Sequence, residues 1–197
     1  LDLRFAVMGG DATSGNPDDG HDAARVTSWW QSFAQALLPL RQAGVPILPI
    51  AGNHDYYTDA HKQGYAAAWR DFPAAVQGLI PLTGQPPFCY SFVLDDVYFL
   101  FLHVVDQELE PEVEAFARAE LASDAARNAS LRLCFGHVPL VSMMGKTNAD
   151  FCVQLGSLLA DGGVAAYFSG HEHLFWDQYL PFGDSRLRQI HVGTASG

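Results

Sequence analysis

Four short clusters in this 197-residue chain pair a turn-forming glycine with a side chain able to hold a metal ion. They are Gly10-Asp11, Gly52-Asn53-His54-Asp55, Gly136-His137 and Gly170-His171-Glu172-His173. Leaving His54 aside, the set offers the carboxylate of Asp11, the amide oxygen of Asn53 and the imidazoles of His137, His171 and His173. Mixed oxygen and nitrogen donors without thiolates suit Zn, Fe, Mn or similar ions and argue against a structural cysteine site. Glycine ahead of the polar residue lets the backbone turn sharply, so that the side chain points out beyond the preceding element. His171 and His173 are two apart; an extended segment would face them to opposite sides, whereas a loop after Gly170 lets both converge on neighbouring ions.

The elements that must position these clusters follow from hydrophobic period and turn chemistry. Apolar runs over 3–8 and 45–50, closed by glycines, predict buried strands. Residues 22–43 carry Val26, Trp29, Trp30, Phe33, Ala36, Leu37 and Leu40 at spacings of three and four, which predicts a helix bent near Pro39 and stopped at Gly44. Further helices are expected over 59–72, 111–126 and 150–160. A β-hairpin is expected over 88–94 and 97–104 around Asp95-Asp96, with strands over 131–135, 164–169, 174–180 and 187–192. Strands alternating with helices, then a β-rich end, predict one α/β domain over 1–197 built on a mixed sheet. All four clusters then sit just beyond the C-terminal end of a buried strand, where open α/β sheets bind ligands.

Bulk composition narrows the function classes. A formal net charge of −11 repels phosphate backbones, so a sequence-independent nucleic-acid binder is not expected. No apolar run reaches the roughly 20 residues that span a bilayer. A soluble protein is expected, cytoplasmic or exported after signal-peptide removal, and the start at Leu1-Asp2-Leu3-Arg4 reads as trimmed. Cys89, Cys134 and Cys152 lie among apolar neighbours and read as buried thiols rather than a disulfide framework.

From Gly10 to His173 the motif order resembles the calcineurin-like metallophosphoesterases. That resemblance implies a layered β-sandwich of mixed sheets flanked by helices, with two divalent or trivalent ions (Mn, Fe or Zn) at the sheet edge. It implies hydrolysis of a small phosphorylated substrate, mono- or diester, by metal-activated hydroxide. Two cations roughly 3.5–4 Å apart would clamp the phosphoryl oxygens of an already anionic substrate. By match, Asp11 resembles the carboxylate bridging both metals. Asn53, His137 and His171 resemble ligands of the second metal, and His173 a ligand of the first. His54 resembles the non-ligand histidine that stabilises the transition state or protonates the leaving oxygen, with Asp55 as its orienting partner.

One motif departs from the family pattern. The D-x-H triplet expected at the end of the first strand is not in place, because residues 3–8 run straight into Gly9-Gly10-Asp11. The expectation is that a segment is absent between about Met8 and Gly10. Asp19-Gly20-His21 lies in a loop that could reach the site, while Asp59-Ala60-His61 reads as a helix cap. A non-catalytic or one-metal binding module on the same fold is the alternative function. Among the other histidines, His103 reads as a core residue, His191 as lying near the site's edge and His61 as solvated. Trp176 is a candidate for lining a substrate pocket.

Overall fold

The computed structural model describes residues 3–19, 22–76 and 78–193. In chain order the elements are β1 (Ala6–Met8), α1 (Ala23–Ala36), α2 (Leu38–Gln42), β2 (Ile47–Pro49), α3 (Asp59–Ala68), α4 (Phe72–Val76), β3 (Thr83–Gln85), β4 (Cys89–Leu94), β5 (Val97–Phe101), α5 (Pro111–Leu121), α6 (Asp124–Asn128), β6 (Leu131–Phe135), α7 (Ala149–Asp161), β7 (Ala166–Ser169), β8 (Trp176–Phe182) and β9 (Ser185–His191). The α/β class and the mixed sheet flanked by helices are as expected.

Two sheets form. β1 and β2 pair in parallel, and a seven-stranded sheet runs in the order β3-β4-β5-β6-β7-β9-β8. Its centre, β5 to β6 to β7 to β9, is parallel, while β3-β4-β5 and β8-β9 are antiparallel hairpin edges. The four clusters were expected at a single sheet edge. They come instead from both sheets, two following β1 and β2 and two following β6 and β7.

The alternation of side chains along each central strand splits the core in two. Tyr98, Leu100, Cys134 and Tyr167 point to the face covered by α5 and α7. Phe92, Phe99, Phe101 and Phe135 point to the other face, where β2, α1 and α3 pack. There the aromatics stack in a row across neighbouring strands. Tyr90 lies 4.5 Å from Phe101, Phe101 4.8 Å from Phe135, and Phe135 4.8 Å from Phe168, with ring planes within 10°. Each buried aromatic contributes roughly 1.5–3 kcal/mol by leaving water, and paired rings add about 0.5–1.5 kcal/mol. This row fixes β6 and β7 side by side and so sets the spacing of the loops that follow them.

Local chemistry explains the boundaries. The helix predicted over 22–43 breaks at Leu37, with Pro39 in the first turn of α2. That over 111–126 breaks where Ser123 caps α6, its hydroxyl accepting from Ala126 N at 3.1 Å. Asp95 and Asp96 both take positive φ, 50° and 66°, as a two-residue hairpin turn requires. Strand β3 was not anticipated; Thr83, Gly84 and Gln85 are all exposed and carry no alternation to reveal them.

Candidate metal centre

Each cluster begins where its strand ends. Met8 O accepts from Ile50 N at 3.0 Å, the last rung of the β1-β2 ladder, and the chain then turns through Gly9-Gly10. Gly10 adopts φ 97°, and a Cβ there would collide with both His137 and Gly52. Only glycine lets the three loops approach this closely. After β2, Asn53–Asp55 form a single 3₁₀ turn. After β7, Gly170 packs against Gly9, bringing the two sheets together at this point.

Four ligand atoms converge between the loops. His137 Nε2 lies 2.9 Å from Asn53 Oδ1 and 3.3 Å from Asp11 Oδ2. His171 Nδ1 lies 2.9 Å from the same Asn53 oxygen and 3.3 Å from His137 Nε2. Nitrogen and oxygen ligands held about 2.0–2.2 Å from one small ion lie roughly 3–3.5 Å apart, so this spacing fits a shared cation. The donor chemistry fits as well. His137 Nδ1 contacts Gly9 O at 2.8 Å; with a proton there, loss of the proton that Nε2 shares with Asp11 leaves Nε2 a lone pair facing a carboxylate and an amide oxygen. Such facing lone pairs repel unless a cation sits among them. Asp11, His137 and His171 form a group able to hold a metal ion.

Backbone strain concentrates here. Besides the hairpin turn, the non-glycine residues with positive φ among the described residues are Asp11 (55°) and His171 (68°), both metal-ligand candidates. Strained residues of this kind persist where surrounding contacts over-determine them, and they cluster at functional sites. Burial pushes the Asp11 carboxyl up, but the hydrogen bond and charge of His137, with help from His54, hold it below the usual carboxylate value. Burial, reinforced by neighbouring His137, lowers His171 and keeps it neutral and able to ligate near neutral pH.

The other sequence candidates divide. His173 is exposed and lines the same cleft as Asp11, His54 and His137, yet stands outside the converging ligand group. His54 also lines the cleft; its backbone N–H donates to Asp11 Oδ1 at 3.0 Å and its Nδ1 faces Gly15 O. Asp55 had been expected to orient that imidazole. Its carboxylate is instead fully buried and accepts from Ala12 N, Thr13 N, Thr13 Oγ1 and Gly52 N at 2.9–3.2 Å. It ties the loop after β1 to the loop after β2. The side chain follows Asn53 and His54 in a tight turn and so points inward. Burial pushes its carboxyl up, against the pull of the Gly52 and Thr13 hydrogen bonds.

Glu172 was not singled out from sequence. It turns away from the cleft and accepts from Met143 N at 2.8 Å, Met144 N at 3.4 Å and the Ser142 hydroxyl. His191, buried on β9, stands 4.0 Å behind it. No spacing rule reveals these contacts, because residues 142–144 carry no periodic signal.

His61 is buried rather than solvated. Thr58, not Asp59, caps α3, and the His61 ring folds back to accept from Thr58 N at 3.2 Å. In the other D-x-H triplet, Gly20 and His21 lie outside the described residues. Trp176 is exposed and does not line the cleft. The cleft is a cavity of about 920 Å³ whose lining also includes the apolar side chains of Phe33, Leu37, Leu40 and Phe168.

A turn-mounted cluster of carboxylate, amide and imidazoles at the C-terminal ends of parallel strands makes a candidate metal centre on an α/β fold. The calcineurin-like phosphoesterase family model matches residues 4–175, and the chain belongs to that family. Among solved structures it is similar to a purple acid phosphatase, PPD1, from yellow lupin (Lupinus luteus) seeds, with 18% identity and TM-score 0.61. It is also similar to GAP50, described as the anchor in the inner membrane complex of Plasmodium, with 16% identity and TM-score 0.60. Each comparison covers 98% of this chain but only 37% and 62% of the respective neighbour. At these identities the likeness shows the fold. No curated protein matches the chain in sequence. No helix among the described residues is long and apolar enough to cross a membrane.

Proposed function

We propose that this protein is a metal-dependent phosphoester hydrolase acting on a small phosphorylated substrate at the cleft above β1, β2, β6 and β7. The observation that carries the reading is the convergence of Asp11 Oδ2, Asn53 Oδ1, His137 Nε2 and His171 Nδ1 at 2.9–3.3 Å. These residues would hold one cation, and His173 with Asp11 would serve a second. A divalent or trivalent ion such as Zn, Mn or Fe would neutralise phosphoryl charge and lower the pKa of water. The chain supplies the rest. Gly9 O holds the His137 ring in orientation, and Asp55 locks the loops carrying Asp11 and Asn53. His54, which contacts Gly15 O and lines the same cleft, would donate a proton to the leaving oxygen. The acidic charge disfavours nucleic acid as substrate.

The test is turnover of p-nitrophenyl phosphate and its bis ester with Mn²⁺ or Zn²⁺, in wild type and His54→Ala. Metal-dependent turnover that falls by roughly 10²-fold or more in the variant supports the assignment of His54. Absence of turnover under every metal condition would discard hydrolysis.

A second reading is a one-metal or non-catalytic module. His173 stands apart from the ligand group, and no D-x-H triplet among the described residues reaches it. The GAP50 structure described as an anchor shows similarity over nearly the whole of this chain. Metal analysis separates the two, with a stoichiometry of one ion and no turnover favouring the module.

A further inference from the structure

We infer that Tyr57 is a positioning residue that orients the Asn53 amide so that its oxygen, and not its NH₂, faces the cation. The inference rests on the metal-site reading above. Asn53 must present Oδ1 to the ligand group, where it lies 2.9 Å from both His137 Nε2 and His171 Nδ1. An amide has a second orientation of nearly the same shape, with two N–H donors in place of the oxygen and no lone pair for a cation. Before any cation binds, that flipped form would be attractive. With Nε2 deprotonated for ligation, it would aim the NH₂ at the lone pair of His137, an acceptor, whereas the ligating form sets oxygen against it.

The Tyr57 hydroxyl supplies the counterweight, because Asn53 Nδ2 donates to it. This bond engages the NH₂ on the side away from the ligand group and leaves Oδ1 turned inward. Tyr57 follows Asn53 by four residues, just past the 3₁₀ turn, so the turn itself brings the hydroxyl back to the amide. Its ring stands edge-on to His54, 5.3 Å between centroids, which fixes the direction of the hydroxyl. Partners behind metal ligands act in this way in general, and removing one costs about 10–100-fold in metal affinity.

Tyr57→Phe deletes the hydroxyl and keeps the ring against His54. Mn²⁺ affinity measured by titration calorimetry should fall about 10-fold or more, with the thermal midpoint of the metal-free protein unchanged. The same substitution in an Asn53→Ala background should change affinity less than about twofold, since a residue acting through Asn53 has nothing left to act on. Wild-type affinity in Tyr57→Phe, or an equal loss in the Asn53→Ala background, overturns the inference while leaving the metal site standing. Absence of Mn²⁺ uptake by the wild type overturns both.

Discussion

His137 Nδ1 lies 2.8 Å from the carbonyl oxygen of Gly9, a contact spanning 128 residues between the end of β6 and the end of β1. It joins the two sheets at the one point where ligand atoms converge. The imidazole is 1% exposed, so water cannot substitute for Gly9 O in holding the ring. Metal affinity should therefore depend on His137 more than on any exposed histidine. With cation at a hundred times its Kd, wild type gains about 2.7 kcal/mol by mass action. In a domain of this size that is a rise of roughly 5–11 °C in Tm. His137→Ala should show no metal-dependent rise. A rise equal to wild type, followed by scanning calorimetry with Mn²⁺ and with chelator, would exclude His137 from the site.

Asp11 makes a different kind of claim, because its backbone is at φ 55°. Asparagine tolerates that conformation through its short polar side chain, whereas alanine is strained there by roughly 1–2 kcal/mol. Both substitutions remove the carboxylate charge. Asp11→Asn and Asp11→Ala should thus lose metal affinity alike, by 10-fold or more, while the metal-free alanine variant unfolds at lower urea by about 1 kcal/mol relative to the asparagine variant. Equal metal-free stabilities would show that the turn is not strained at this residue.

The contrast between Asp11 and Asp55 also shows how far the sequence could be read. Glycine-polar clusters after apolar strands pointed to Asp11, Asn53, His137 and His171, whose side chains converge, because strand ends and turns are local features. The inward direction of Asp55 is not local. It depends on Thr13 N–H and hydroxyl arriving from the loop after β1. Glu172 likewise depends on the 142–144 loop, and the burial of His61 on Trp29, whose ring stacks at 6.0 Å. Hydrophobic period found the central strands and placed the helices, yet the assignment of β1 and β2 to a separate sheet was hidden. A three-residue apolar strand looks the same whichever sheet receives it.

Asp55 carries its own test. Its Oδ1 faces the Thr13 N–H and hydroxyl, and its Oδ2 the N–H groups of Ala12 and Gly52. An asparagine would set NH₂ against donors in either orientation, leaving buried groups unpaired. Asp55→Asn should cost roughly 2–4 kcal/mol, since each buried donor left unsatisfied costs about 1–3 kcal/mol. Urea denaturation with chelator present measures this apart from any metal effect. A loss below about 0.5 kcal/mol would mean that the two loops hold together without the carboxylate.

His103 provides the pH dependence. Burial, with the nearby Lys62 charge, holds it down at about 4 against an ordinary 6.5. Its ring packs between Tyr56, 4.5 Å away, and Phe88, 5.3 Å away, and its Nδ1 has no hydrogen-bond partner among the described residues. The folded protein therefore holds this imidazole neutral, while the unfolded chain takes up a proton below about 6.5. Between those values the unfolded state binds more protons, so stability is present above 6.5 and is lost as pH falls toward 4. The full difference amounts to about 3 kcal/mol, of which roughly 2 kcal/mol should be lost between about pH 7 and pH 5. Phenylalanine fits an aromatic surrounding and cannot titrate, so His103→Phe should flatten that part of the profile. Chemical denaturation of both proteins across this range, with chelator to silence the metal ligands, gives the comparison. Parallel profiles would mean that His103 is already paired or solvated in the folded state, and that acid sensitivity arises elsewhere.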